Sequence, residues 1–480
     1  MNIIIIGAGP AGLTAAYQLS KYFHNPVQSI KLFEASKEVG GMSKSLNLWN
    51  QIVDLGPHRF FSEDLRVNQF WLEIAENEYD MVNRLTRIYY NGKFFYYPLK
   101  AYNALSNLGF VEAIKCVLSY LPYKIGISKA DLTTFEGWVI QNFGDRLYDI
   151  FFKTYSEKLW GIPCNELDAD FAAQRIKKLS LLEAILSAFQ IIDNQKHKTL
   201  VEQFAYPKYG TGSIYEKMKN RFIQNGGQIF FLSPVKKVII KNQKAIGVEL
   251  QNHDFHPADF VVSSMPLSLL VQQLDNIPKE IYHQVQQLRF RNTILVYLNV
   301  DSPHIFPDQW IYVHDKNLLT GRITNFRNWV PTLYGNEKST ILAMEYWCND
   351  KDPIWNDSEE NLINLATKEL YWTGLISSKI RVLNGKVIKL KNSYPVYFKN
   401  YKQVLEPVQE YLKTIPNLYA IGRYGAYKYN NQDHSILMGL LVAENIIHDA
   451  MHDLWAINTD YGSYQEKARI TKTGLEVLRK

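Results

Sequence analysis

Gly7, Gly9 and Gly12 stand at the spacing G-x-G-x-x-G, in the run Gly7-Ala8-Gly9-Pro10-Ala11-Gly12, which follows directly on the apolar stretch Ile3 to Ile6. Glycines so placed do chemistry with the backbone. One permits a tight turn, the next leaves room for a pyrophosphate, and the third lets the following helix approach the preceding strand. The helix N-terminus then presents N–H groups to the phosphates. Glu34, about 20 residues further on, ends a second apolar run from Ser29 to Phe33 and can accept from ribose hydroxyls. These residues require a specific set of elements: a buried parallel strand over Ile3 to Ile6, a helix over Leu13 to Leu19, and a second strand ending at Glu34. Together they read as a dinucleotide site.

A second glycine turn, Val39-Gly40-Gly41-Met42-Ser43, follows Glu34-Ala35 and brings a pliant backbone close to the same place. Near the other end, Asn417 to Gly425 reads as a buried strand running into a glycine turn. Asn430-Asn431-Gln432-Asp433-His434-Ser435 comes next, and the pattern is helical from Ile436 to Ile447. A polar turn at a helix N-terminus suits an anion or a carbonyl.

In this order the motifs resemble the FAD-binding lobe of the amine oxidase superfamily, and the C-terminal Gly-Arg and Asn-Gln-Asp-His-Ser segments are similar to those of the UDP-galactopyranose mutases. The resemblance implies FAD rather than NAD, held by Gly7, Gly9, Pro10, Ala11, Gly12, Glu34, Ala35, Gly41, Met42, Val235, Gly422, Arg423, Asn431, Gln432, His434 and Ser435. Asp54-Leu55-Gly56-Pro57-His58 looks like the mutases' Gly-Gly-His segment with Pro57 in place of the second glycine, which puts His58 against the flavin ring. It further implies that Arg175 is the flavin-side arginine and Arg322 the diphosphate-binding one. Trp160, Phe204, Tyr206, Tyr394, Arg423 and Tyr429 complete the implied substrate contacts. His58, Arg175 and Arg322 are the expected catalytic side chains.

The implied reaction interconverts pyranose and furanose forms of a nucleotide sugar through an adduct at N5 of the reduced flavin, with NADH or NADPH as a possible reductant. The alternative is an oxidoreductase of the same superfamily, passing a hydride to the flavin from an amine, a porphyrinogen or a polyene. Segments such as Tyr96-Tyr97-Pro98-Leu99-Lys100 resemble protoporphyrinogen-oxidase-like members. A flavin-binding scaffold without catalysis is the third reading. The FAD residues are common to all three.

The resemblance implies an α/β fold: a Rossmann-like FAD lobe of the GR2 type, a mixed-sheet substrate lobe and a helical insertion. The FAD lobe is expected from residues 1–85, 206–270 and 406–480, the last ending in a helix, with 86–205 helical and 271–405 the substrate sheet. Within this division Lys237 to Val248 and Ala258 to Pro266 read as strands. The composition fits an ordinary globular chain, with 46% hydrophobic and 21% charged among 480 residues. Aromatic residues make up 14%, enough to line a ligand pocket as well as fill a core.

A net charge of +6 without a long basic block argues against nucleic acid as a partner and leaves a small-molecule substrate. Cys116, Cys164 and Cys348 form neither a C-x-x-C nor an even set, so no metal site is expected. The start of the chain shows no signal or transit pattern, which points to the cytoplasm. No stretch is long enough to span a bilayer. Leu105 to Leu121, rich in Leu, Val and aromatics, is expected as a buried helix, with peripheral membrane contact left open. Oligomeric state is not legible.

Overall fold

The computed structural model describes residues 1–97, 99, 101–171, 203–457 and 467–478. Five parallel strands form the nucleotide-binding sheet in the order Leu418–Ala420, Phe260–Ser263, Asn2–Ile6, Ser29–Phe33, Gln228–Phe230. Each comes from a different stretch of chain. Alternation along the first strand explains its unbroken Ile run. Ile3 and Ile5 pack with the helical layer, Ile4 and Ile6 face the opposite side, and all four are 5% exposed or less. The helices of that layer are Pro10–Ser20, Gly212–Gln224 and Gln432–His448. On the other face lies a three-stranded antiparallel sheet, Val235–Lys241, Lys244–Leu250 and Phe255–Pro257. The stretch read as a strand from Lys237 to Val248 is thus a hairpin. It turns at Asn242 and Gln243, whose φ of 51° and 58° match a type I′ turn.

The second large unit is a seven-stranded mixed sheet in the order Val382–Pro395, Phe290–Val300, Thr340–Cys348, Arg322–Asn325, Trp310–Val313, Thr86–Tyr90, Lys93–Tyr96. The helix Glu359–Trp372 covers one face through Leu362, Ala366 and Leu370. The other face packs Leu295, Tyr297 and Trp310 against Val53, Leu55 and Phe204. Helices Ala101–Leu108, Phe110–Lys124 and Phe135–Phe143 form the insertion. They lead into an almost continuous helical run from Asp145 to Trp160, with a π-helical turn at Asp149–Lys153.

Two features depart from the sequence reading. The helix Phe110–Lys124 is buried along Ala113, Cys116 and Tyr120, but its other face carries exposed Phe110, Val111, Ile114, Leu118 and Leu121. Residues 467–478 form a hairpin, Lys467–Thr471 with Gly474–Leu478, beyond the last helix. It is tied down where Asn68 Nδ2 donates to the Ala468 carbonyl at 3.0 Å.

Candidate functional site

The glycine fingerprint builds a cradle whose three glycines differ in what surrounds them. Gly12 lies where a Cβ would fall 2.1 Å from the Gly7 carbonyl oxygen, so helix and strand meet with no room for a side chain. Gly7 adopts φ +93°, and a Cβ there would meet Ser264 Oγ at 2.4 Å. Gly9 is different: a Cβ on it meets nothing within 4 Å. That open space lies at the N-cap of Pro10–Ser20, where Pro10 takes the first helical position and loses no hydrogen bond by lacking an N–H.

The second glycine turn closes over the cradle. Gly40 N–H donates to the Ala8 carbonyl at 2.8 Å, and a Cβ on Gly41 would lie 3.3 Å from Gly9 Cα. Met42 beside it is half-buried. Glu34 accepts from Ala8 N–H at 2.7 Å and from Ser36 N–H at 2.8 Å, so its carboxylate braces the loop. A carboxylate accepts about four hydrogen bonds, which leaves lone pairs for a ribose. Ala35 is exposed next to it, and Val235 is buried opposite Leu250 in the antiparallel sheet.

From the far end of the chain Gly422, at φ +80°, turns so close to the fingerprint helix that a Cβ would come within 2.9 Å of Ala11 Cβ. Asn431 is the N-cap of Gln432–His448, which starts four residues earlier than its apolar pattern and so carries Gln432, His434 and Ser435 in its first turn. Gln432 Nε2 donates to the His58 carbonyl at 3.1 Å, and Thr211 Oγ1 donates to the same oxygen at 2.9 Å. Tyr215 in turn holds Gln432 through a 2.8 Å bond. The His58 segment is therefore fixed from two directions.

His58 points to a polar and aromatic pocket. A Cβ on Gly56 would lie 3.7 Å from Glu345 Oε1, 3.8 Å from an Arg322 Nη and 3.9 Å from His58 Nε2, which places these groups around one point. Arg322 and Glu345 face each other on adjacent antiparallel strands. Their bidentate pair closes with Nε–Oε1 at 2.7 Å and Nη2–Oε2 at 2.6 Å. Arg423 lies against Tyr394 and Tyr429, 4.6 and 4.5 Å from their centroids, while the two rings stack on each other at 5.6 Å. It donates to the carbonyls of Ser393 and Asn430 at 3.1 and 2.9 Å. Trp160 packs edge-on to Tyr394 and Tyr429, and Trp347 packs edge-on to Tyr394 and Tyr155.

Electrostatics follows from this packing. Burial, with Arg322 and then Arg423 nearby, drives the His58 pKa down to about 3, so the imidazole is neutral near pH 7. Burial beside Tyr429 pushes Tyr394 up to about 12 and keeps its phenol a donor. Glu345 compensates Arg322, whereas Arg423 is met by carbonyls, so the pocket keeps an excess positive charge among the described residues.

Of the residues implied by resemblance, the structure brings together His58, Trp160, Arg322, Tyr394, Arg423 and Tyr429. Arg175 lies outside the described residues. Phe204 and Tyr206 lie apart from this cluster: Phe204 packs on Trp310 and Trp329, and Tyr206 is fully buried, giving its hydroxyl to Asp54 Oδ2 at 2.8 Å. Glu345, Tyr155 and Trp347 were not legible as site residues. A lone carboxylate in the otherwise apolar strand Thr340–Cys348 was the available signal for Glu345; Tyr155 and Trp347 carry none.

The residues fit a flavin dinucleotide. The open space at Gly9 lies at a helix N-terminus and would take a pyrophosphate, and buried His58 Nδ1 and Asn430 Oδ1 have no hydrogen-bond partner among the described residues. Among the described residues no group of three or more His, Cys, Asp or Glu is placed to hold a metal ion.

Fold and site together define a flavoenzyme built on an α/β FAD-binding lobe. A family model for flavin-containing amine oxidoreductases matches residues 10–447, and the chain belongs to that family. A coproporphyrinogen III oxidase of Staphylococcus aureus is 22% identical over 93% of this chain and 99% of its own length. A Klebsiella pneumoniae protein described as a probable UDP-galactopyranose mutase is 28% identical over 35% of this chain and 43% of its own. A crystal structure of reduced UDP-galactopyranose mutase superposes with a TM-score of 0.83 at 21% identity, covering 96% of both chains, which establishes the fold.

Proposed function

We propose that this flavoenzyme interconverts the pyranose and furanose forms of a nucleotide sugar. The observation that carries the reading is Arg423: a guanidinium held against two stacked tyrosine rings, with carbonyls for partners, beside the Arg322–Glu345 pair. That arrangement favours an anionic ligand with several acceptor oxygens, as a diphosphate has. Arg322 spends its Nε and Nη2 on Glu345 and keeps Nη1 for a phosphate oxygen. Tyr394 and Tyr429 would donate phenol hydrogens and lose little entropy on binding. Arg175 is proposed as a further cation. Bound and reduced, the flavin supplies the electron-rich ring that such a rearrangement needs at the sugar. Neutral His58 keeps its ring against that cofactor without adding a third positive charge. Trp160 and Trp347 exclude water, and their buried indole N–H groups stand free to donate.

The test is incubation of FAD-loaded protein, with and without dithionite, NADH or NADPH, with UDP-galactopyranose and other nucleotide sugars, followed by chromatography. Interconversion by the reduced form supports the reading. The six rings of Tyr155, Tyr312, Tyr394, Tyr429, Trp160 and Trp347 also suit a flat apolar substrate, and the oxidase relative spans the chain. If the oxidised form is instead bleached anaerobically by a porphyrinogen or an amine, while the reduced form leaves every nucleotide sugar unchanged, hydride transfer replaces the mutase reading.

A further inference from the structure

The helix Phe110–Lys124 has two apolar faces, and only one of them meets the protein. At about 100° per residue, Ala113, Cys116 and Tyr120 form the buried stripe, while Phe110, Val111, Ile114, Leu118, Leu121 and the C-cap Ile125 fall within a single arc of about 100° on the opposite side. This second stripe is well exposed: Phe110 shows 80% of its surface and Leu118 59%. Ile127 and Leu132 extend it past the helix end. No helix among the described residues is long and apolar enough to cross a membrane, so the stripe is not part of a span.

The charges around it are predominantly positive. Lys115 and Lys124 flank the stripe on its two edges, and Lys129 follows in the loop. All three are exposed, and none forms a salt bridge among the described residues. Of the acidic groups nearby, Glu112 pairs with Arg146 and Asp131 with Lys399 at 3.0 Å, and only Asp145, which accepts from the Tyr123 hydroxyl at 3.2 Å, sets its charge against the three lysines. An apolar stripe bordered by free lysines is complementary to an anionic bilayer surface, with the rings and aliphatic chains in the acyl boundary and the ammonium groups at the headgroups.

We infer that this face rests on an anionic membrane surface, with the helix Phe110–Lys124 lying in the plane of the interface. The contact is electrostatic and hydrophobic together, and reversible. It orients the active site as well, because the helix packs on Phe135–Phe143 and Asp145–Tyr148, and the latter runs on to Tyr155 and Trp160 in the pocket wall. The inference stands on the exposed stripe and its charges, and does not depend on which reaction the flavin performs.

The experiment is flotation of the FAD-loaded full-length protein with vesicles of phosphatidylcholine alone and of phosphatidylcholine mixed with phosphatidylglycerol. The anionic vesicles are expected to bind at least about tenfold more tightly, and raised salt should weaken that binding. Leu118→Asp with Ile114→Asp, and separately Lys115→Glu with Lys124→Glu, should each lower it about tenfold or more while FAD content stays unchanged. Absence of vesicle binding, or binding indifferent to both pairs, overturns the inference. So does a dimer in light scattering that Leu118→Asp dissociates, which would assign the face to a second copy. A fall of several degrees in the melting midpoint of the free Leu118→Asp protein would assign it to the chain itself.

Discussion

Arg322 is bound to a carboxylate that has almost no other exposure, and this changes what its removal should do. Glu345 is 1% exposed, and the pair is bidentate at 2.7 and 2.6 Å. Deleting one partner of a buried pair strands the other charge, at a cost of about 3–5 kcal/mol. Arg322→Ala is therefore expected to lower the unfolding free energy by about that much, read from urea unfolding, besides weakening nucleoside diphosphate binding by about 1.5–3 kcal/mol in calorimetry. Unchanged stability would mean that water reaches Glu345 freely. His58 calls for the opposite expectation. With its pKa at about 3, it should contribute no inflection between pH 5 and 8 to a pH–rate profile, and a His58→Asn variant should keep the shape of that profile even where its rate falls.

Among the elements, the hairpin Ser45–Leu48 and Gln51–Asp54 does the most positioning, and it does so through one buried carboxyl. Asp54 accepts from Ser45 Oγ at 2.5 Å, from the Tyr206 hydroxyl at 2.8 Å and from Thr211 N–H at 3.2 Å, while its own carbonyl takes the Tyr297 hydroxyl at 2.8 Å. Four elements meet there, two residues ahead of Gly56. Burial raises its pKa to about 6, against about 3.9 in an unfolded chain. Between those values the folded state holds a proton that the unfolded state has released, so stability falls as pH rises from about 4 to about 6 and is level on either side. The group's contribution to that fall is roughly 3 kcal/mol. Asp54→Asn should remove it, so stability at pH 7 relative to pH 4 in urea unfolding rises by up to that amount over the parent; an unchanged relative value would show that Asp54 is ionised throughout. None of this was legible in the sequence. Tyr206 and Asp54 stand 152 residues apart, and an aromatic residue before a proline reads equally well as pocket or as core. The local signals were another matter: the Ile run and the glycine spacing mark a strand, a turn and a helix that follow one another directly in the chain, although the helix begins at Pro10, three residues ahead of the Leu13 that the apolar pattern indicates.

On the scale of the molecule, the proposed cofactor site is a meeting of remote segments: the fingerprint loop, the Gly40-Gly41 turn, the His58 segment and the first turn of Gln432–His448, with His58 and Gln432 separated by 374 residues. A ligand that spans such a junction binds the folded state and finds nothing comparable in the unfolded one, so it stabilises by RT ln(1 + [L]/Kd), about 2.7 kcal/mol at a hundredfold excess over Kd. The melting midpoint of FAD-free protein should therefore climb with the logarithm of added FAD. Gly9 separates this linkage from the packing of the fold. Gly7 and Gly12 have no room for a Cβ, and substituting either disrupts the strand–helix contact before any ligand is considered. Gly9 sits at φ −74° and ψ −179°, a conformation open to any residue, and its Cβ direction leads only into the cradle. Gly9→Val should accordingly leave the midpoint of the FAD-free protein within about 1–2 °C of the parent and abolish its rise with FAD, because the added methyl groups occupy the space a pyrophosphate needs. A variant that melts as the parent does and still shifts with FAD would place the phosphates somewhere other than at this loop.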